Sequence, residues 1–184
     1  MEEEDCLLSE ADLLRHIEKF DLNLILRPPT LSDGNCWYNA MADQVRMHDL
    51  KRPETPSGLR KAVCEAIPFM PEAKEWSRSL FPDTASFISF LQEHSTPGTW
   101  TDSRGIMCQA TALYLGREVI IVGTKNIGQG NSGYTKLDSV PGSGDLPKLY
   151  VAHYHNKHFQ SLIEVVGERI IRICRLSVLY VSIM

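Results

Sequence analysis

No C-x-x-C pair, no apolar run of membrane-spanning length and no excess of positive charge occurs in this chain, and each absence removes a class of function. The five cysteines, Cys6, Cys36, Cys64, Cys108 and Cys174, are odd in number and widely spaced. That argues against a disulfide framework or a zinc ribbon and leaves free thiols. A formal net charge of −4 gives no electrostatic reason to expect nucleic acid or an anionic membrane as the main partner. The first residues, Met1-Glu2-Glu3-Glu4-Asp5, are acidic, with no basic region leading into an apolar one. No secretory signal is read there, so a reducing, cytoplasmic setting is expected, or host cytosol or nucleus for a pathogen's protein. Ile170 to Met184 is apolar but interrupted by Arg172 and Arg175, and falls short of the about 20 residues a spanning helix needs; a last strand or tail is expected. With 184 residues, 43% hydrophobic and 23% charged, the chain suits one well-cored domain.

What is present centres on one cysteine. Ser32-Asp33-Gly34-Asn35-Cys36-Trp37-Tyr38-Asn39-Ala40 places Cys36 just after a tight turn and at the start of a helix-compatible run. A helix N-terminus carries about half a positive charge and can lower a thiol pKa from about 8.5 to ~3.5–7.5. Cys6, Cys64, Cys108 and Cys174 have no such setting and read as small buried hydrophobes.

The coarse organisation follows from periodicity. A short packing helix is expected to about Phe20, then a strand or extended arm over Leu22–Leu26, stopped by Arg27-Pro28-Pro29. Cys36 to about His48 forms the helix carrying the thiol. Lys51 to Gly58 reads as a polar loop, and helices are expected over Leu59–Ile67, with Leu59, Val63 and Ile67 inward, and Thr84–His94, with Phe87, Ile88, Phe90 and Leu91 inward. Pro68 to Asp83 reads as a short helix inside loops. A helix from Ile106 ends at Gly116, and Val119–Val122 is a buried strand. Gly123 to Gly133 is a loop leading into a hairpin strand over Tyr134–Leu137. Two more strands, Leu149–Ala152 and Phe159–Val166, follow. Helices early and strands late predict an α+β domain with a small, mostly antiparallel sheet between helices.

A cysteine nucleophile needs a base close in space rather than in sequence. Of the six histidines, His16, His48 and His94 read as solvated residues on helix faces or ends. The other three cluster in His153-Tyr154-His155-Asn156-Lys157-His158-Phe159-Gln160-Ser161-Leu162. His-x-His-x-x-His could ligate zinc, but no nearby Cys, Asp or Glu completes a site; no metal and no organic cofactor is expected. His153 and His155 read as polar residues bordering a cleft.

Asp33-Gly34-Asn35-Cys36 followed by two aromatics resembles the catalytic cysteine loop of the ovarian tumour (OTU) family of cysteine deubiquitinases. His158-Phe159-Gln160-Ser161-Leu162 is similar to that family's histidine block, and Gly98-Thr99-Trp100 through Val122 to its middle block. The three blocks, in order, span about residues 22 to 165. The resemblance implies a papain-related fold, with Cys36 as nucleophile and His158 as general base. Thr101 stands where the family usually has Gly, and Gln160 where Asp or Asn is usual. Gln160 or Asp33 would then orient the imidazole, and backbone N–H groups around Asp33, Gly34, Asn35 and Cys36 would form the oxyanion hole. Asp33 reads equally well as a helix cap, Gln160 as a strand residue and Asn35 as a turn residue; Trp37 and Trp100 read first as packing groups.

The expected organisation is an N-terminal packing helix region (1–21), an OTU-like catalytic core (22–166) and a C-terminal strand or tail of the same domain (167–184). The expected activity is hydrolysis of the bond after the C-terminus of ubiquitin or a ubiquitin-like modifier. Its partners are ubiquitin or polyubiquitin chains, and the protein itself is monomeric. A non-catalytic ubiquitin-binding module with an impaired triad is the alternative, and a papain-like thiol hydrolase of other amides a third.

Overall fold

The computed structural model describes residues 11, 13–15, 17–18, 22–28, 34–98, 105–123, 134–137, 146–154 and 158–165. Ala11, Leu13–Arg15, Ile17 and Glu18 are helical, within the expected packing helix. The elements that follow are β1 (Leu24–Leu26), α1 (Cys36–Met47), α2 (Pro56–Ala66), a 3₁₀ turn (Ile67–Phe69), α3 (Ala73–Leu80) and α4 (Thr84–His94). They continue with α5 (Ile106–Leu115), β2 (Val119–Gly123), β3 (Tyr134–Leu137), β4 (Leu149–Tyr154) and β5 (His158–Glu164).

Helix α2 starts earlier than its apolar stripe suggests, inside the stretch read as a loop. Pro56 occupies its first turn, where a missing N–H costs nothing, and Thr55 caps it by accepting from the Gly58 N–H at 3.2 Å. Pro68 then tightens the chain into the 3₁₀ turn. The C-terminus of α5 lies where Gly116 takes a left-handed φ of 61°, as its sequence predicts. In α4, Phe87 and Leu91 are buried, but Ile88, expected inward, is 48% exposed. It lies one position past the α4 face that meets the core.

The sheet order is β1-β5-β4-β2-β3. Three neighbouring pairs are antiparallel, and β2 with β4 is parallel. Alternation along the strands divides two cores. Val119, Ile121, Leu149, Val151 and Phe159 pack with α1, α2, α4 and α5, whereas Ile120, Val122, Ala152, Leu162 and Leu24 pack with Leu13 and Ile17 of the first helix. The sheet is therefore covered on both faces, and α1 is the central helix. Trp37, Tyr38, Ala40, Met41, Ala42, Gln44 and Val45 are all fully buried.

Gln44 fastens α1 to the sheet. Its Nε2 donates towards the Leu162 carbonyl and Ser161 Oγ, each at 2.7 Å, and the Tyr150 carbonyl at 2.9 Å, while its Oε1 accepts from the Tyr150 N–H at 3.3 Å. An apolar replacement strands those groups in the core. Gln44→Leu is expected to lower stability by about 2–3 kcal/mol, read as a lower denaturant midpoint at unchanged slope.

Candidate active site

The thiol sits where α1 begins. Asn39 N–H donates to the Asn35 carbonyl at 2.8 Å, opening the helical ladder, so Cys36 is the first helical residue; its side chain is buried. Asn35 does not cap the helix with its side chain. Its Oδ1 instead accepts from Arg60 Nη2 at 2.9 Å and from the Gly98 N–H at 3.1 Å, so Asn35 acts as a tie between loops. Gly34 has φ +75°, and a Cβ there would lie 2.2 Å from the Gly98 carbonyl oxygen. The loop before the thiol is thus seated directly on the Gly98 turn, which only glycine permits.

His158 opens β5 and is 9% exposed. Trp37, next to Cys36, meets Phe159, next to His158, edge to face with ring centroids 5.0 Å apart. Trp37 Nε1 donates to Thr111 Oγ1 at 3.0 Å, and Thr111 in turn donates to the Met107 carbonyl at 2.6 Å, which fixes the indole against α5. Further along, Gln44 reaches Ser161 and Leu162. Seven helical residues rise about 10 Å, and two to three strand residues advance about 7–10 Å, so α1 and β5 run in the same direction. Their starts, Cys36 and His158, lie at the same end of the molecule.

Phe159 is also stacked with His153, with centroids 4.2 Å apart and ring planes 6° from parallel; the two residues are register partners of β4 and β5. Burial first, and the neighbouring His158 second, push the His153 pKa down to about 4. His153 is half-buried and held neutral in a ring stack.

Gln160 lies two residues after His158 on the same side of β5 and is buried. Its Nε2 donates to the Arg27 carbonyl, so it is more than a surface strand residue. Arg27 is itself anchored, with its N–H bonded to the Ser161 carbonyl at 3.1 Å and its guanidinium paired with Asp43 at 3.1 Å. Cys36, His158 and Gln160 are thus set on a helix and a strand locked by Trp37–Phe159 and Gln44.

Two readings change, and one buried residue has no counterpart in them. His94, expected to be solvated, is fully buried. It packs near the Tyr38 and Phe90 rings, with its carbonyl accepting from Arg60 Nη1 at 2.8 Å. Burial, helped by the Arg60 charge, lowers its pKa to about 4. His48 is half-buried at the end of α1, with its pKa lowered by burial and by Arg117. Arg60, unremarked in the sequence, is fully buried, although a charge beside the Leu59, Val63, Ile67 stripe is a legible signal. Cys64 and Cys108 are buried free thiols, as read, and Trp37 is a packing group. Asp33, Trp100, Thr101, His155, His16, Cys6 and Cys174, and the segments 124–133 and 166–184, lie outside the described residues.

Of the three histidines with lowered pKa, His94 and His153, each brought down to about 4, carry the larger pH consequence. Each is neutral when folded but takes up a proton near pH 6.5 when unfolded, so its stabilisation is full above pH 6.5 and is lost as pH falls towards 4. The melting temperature is expected to drop across that window. His94→Phe, which has no proton to gain, is expected to flatten the drop by an amount on the order of 1–3 kcal/mol, measured by thermal denaturation at pH 7, 5.5 and 4.5.

Comparisons with known proteins agree with this architecture. Residues 31–162 match the family model described as OTU-like cysteine protease. The structure of the OTUD1 OTU domain superposes with a TM-score of 0.63 at 14% identity, covering 89% of this chain and 100% of that one. An OTU deubiquitinase from Wolbachia pipientis wMel gives 0.57 at 10% identity, covering 82% and 96%. The viral OTU domain protease from Taggert virus gives 0.54 at 18% identity, covering 81% and 84%. No curated protein matches the chain by sequence. A helix-borne thiol, a sheet-borne histidine and the family match over 31–162 lead to one statement: the chain belongs to the OTU-like cysteine protease family.

Proposed function

We propose that the chain is a thiol-dependent deubiquitinase that hydrolyses the isopeptide or peptide bond after the C-terminus of ubiquitin or a ubiquitin-like modifier. The observation that carries this reading is the Trp37–Phe159 contact, which brings the start of the Cys36 helix to the start of the His158 strand. A fold relative, the Wolbachia pipientis OTU deubiquitinase, is known bound to ubiquitin.

In this reading His158 takes the Cys36 proton, and the thiolate attacks the carbonyl carbon of the scissile amide. The oxyanion that forms is met by backbone N–H groups of the loop entering Cys36. His158 returns its proton to the leaving amine, the C–N bond breaks, and a thioester remains on Cys36. Water, deprotonated by His158, then attacks the thioester carbon. The modifier leaves with a free carboxylate and the thiol is restored.

Gln160 serves as the orienting group. Its amide is held through Nε2 by the Arg27 carbonyl, and in this reading Oε1, the acceptor end of the same planar amide, receives the imidazole N–H. Gln160→Ala is expected to lower kcat by roughly 10- to 100-fold, with Asp33→Asn as the comparison that assigns the role. The protein acts as a monomer in the cytoplasm with no metal or organic cofactor, so a chelator leaves its rate unchanged. A panel of linkage-defined diubiquitins with the wild type and Cys36→Ala tests the whole reading: cleavage lost in the variant supports it. Ubiquitin binding without cleavage by the wild type favours the non-catalytic module, which the shift from Asp or Asn to Gln160 recommends as the second reading.

A further inference from the structure

Arg60 stands outside every role assigned above, yet it is bound to the cysteine loop. It is fully buried on α2. Its Nη2 donates to the Gly34 carbonyl and to Asn35 Oδ1, both at 2.9 Å, and its Nη1 donates to the His94 carbonyl at 2.8 Å and the Thr96 carbonyl at 3.2 Å. The guanidinium carbon lies 4.6 Å from the centre of the Tyr38 ring, one helical turn in from Asn35. One planar fork therefore holds the loop entering α1, the chain leaving α4 and the second aromatic after Cys36.

Burying a guanidinium costs several kcal/mol of hydration, and a leucine beside Leu59 and Val63 would pack α2 without that cost. What a leucine cannot do is fix the plane of a peptide. In a trans peptide the C=O and the following N–H point in opposite directions. Holding the Gly34 oxygen on Arg60 therefore sets the direction of the Asn35 N–H, immediately before the thiol. The Gly98 N–H on Asn35 Oδ1 and the close seating of Gly34 on Gly98 complete the clamp.

We infer that Arg60 is a positioning residue that preorganises the Gly34–Cys36 backbone as the oxyanion-binding loop, an inference that rests on the deubiquitinase reading with Cys36 as nucleophile. Arg60 does not touch the substrate; it acts through Gly34 and Asn35. Lysine keeps the charge but cannot reproduce the rigid fork, so Arg60→Lys isolates the geometry.

Two readouts separate positioning from simple structural support. Turnover of a fluorogenic ubiquitin C-terminal amide needs the oxyanion loop, whereas alkylation of Cys36 by iodoacetamide needs only the thiolate. Arg60→Lys is expected to lower kcat by roughly 10- to 1000-fold, leaving KM and the alkylation rate within about threefold. Unchanged kcat in a folded Arg60→Lys protein overturns the inference, as does an equal fall of kcat and alkylation. If Arg60→Lys fails to fold, Asn35→Ala, which removes the shared acceptor from the other side, is read by the same pair of rates and the same criteria. Absence of turnover by the wild type overturns the deubiquitinase reading itself and the inference with it. Normal turnover by both wild type and variant overturns the inference alone.

Discussion

Replacing His158 with alanine is expected to slow turnover of a ubiquitin amide by about 10²–10⁴-fold, the usual contribution of a positioned acid–base group. The loss should fall on kcat and leave KM nearly unchanged, because His158 acts on protons at the reacting centre and contributes little to modifier binding. Its neighbours give the experiment a control. His153 stacks on Phe159 in the adjoining strand, yet it is held neutral and belongs to the ring stack. His153→Phe keeps a ring against Phe159 and is expected to retain most of the activity. Steady-state kinetics on both variants distinguishes one essential imidazole from a histidine cluster that works collectively; equal losses in the two would contradict the assignment of the base.

An alanine at Gly34 is expected to be nearly as damaging, by a different route. At φ +75° a Cβ is strained, and here it would meet the Gly98 carbonyl oxygen at 2.2 Å and its carbon at 2.8 Å. Both are backbone atoms that no rotamer change can move, so the loop itself must shift. Cys36 follows two residues later, and the N–H groups between are those proposed to meet the oxyanion. Losing one such donor costs ~10²–10³ in rate, and the strain costs about 1–3 kcal/mol of stability. The Gly34→Ala protein should therefore show kcat/KM reduced by about two to three orders of magnitude and a lowered melting temperature. A variant with wild-type kinetics would show that the loop's seating on Gly98 is irrelevant to catalysis.

The parts of this site that read directly from sequence are the ones governed by local rules. Cys36 at a helix start follows from Gly34 before it and the apolar run behind it, and the end of α5 follows from Gly116. The sheet order is not local. The parallel pairing of β2 with β4 leaves β3 at an edge and depends on long-range contacts that no short pattern encodes. The meeting of the start of α1 with the start of β5 is non-local too, and the Trp37–Phe159 contact supplies its physical basis. For His94, polarity in a helix suggests solvent, whereas the ring is packed beside Tyr38 and Phe90. Gln44, on the mixed face of the central helix, and Arg60 reveal no partner in the sequence for the same reason. Each is polar on a buried face, and its partners come from segments distant in sequence.

The central claim is that Cys36 performs thiol chemistry on the C-terminus of ubiquitin or a close relative. The most direct measurement is intact-mass spectrometry after incubating the chain with ubiquitin, and in parallel with ubiquitin-like modifiers, each carrying a C-terminal electrophile. The account predicts one covalent adduct per chain, located at Cys36 by peptide mapping, lost in Cys36→Ala and unaffected by substitution of Cys64 or Cys108. An adduct that survives Cys36→Ala, or no adduct with any modifier, would contradict it.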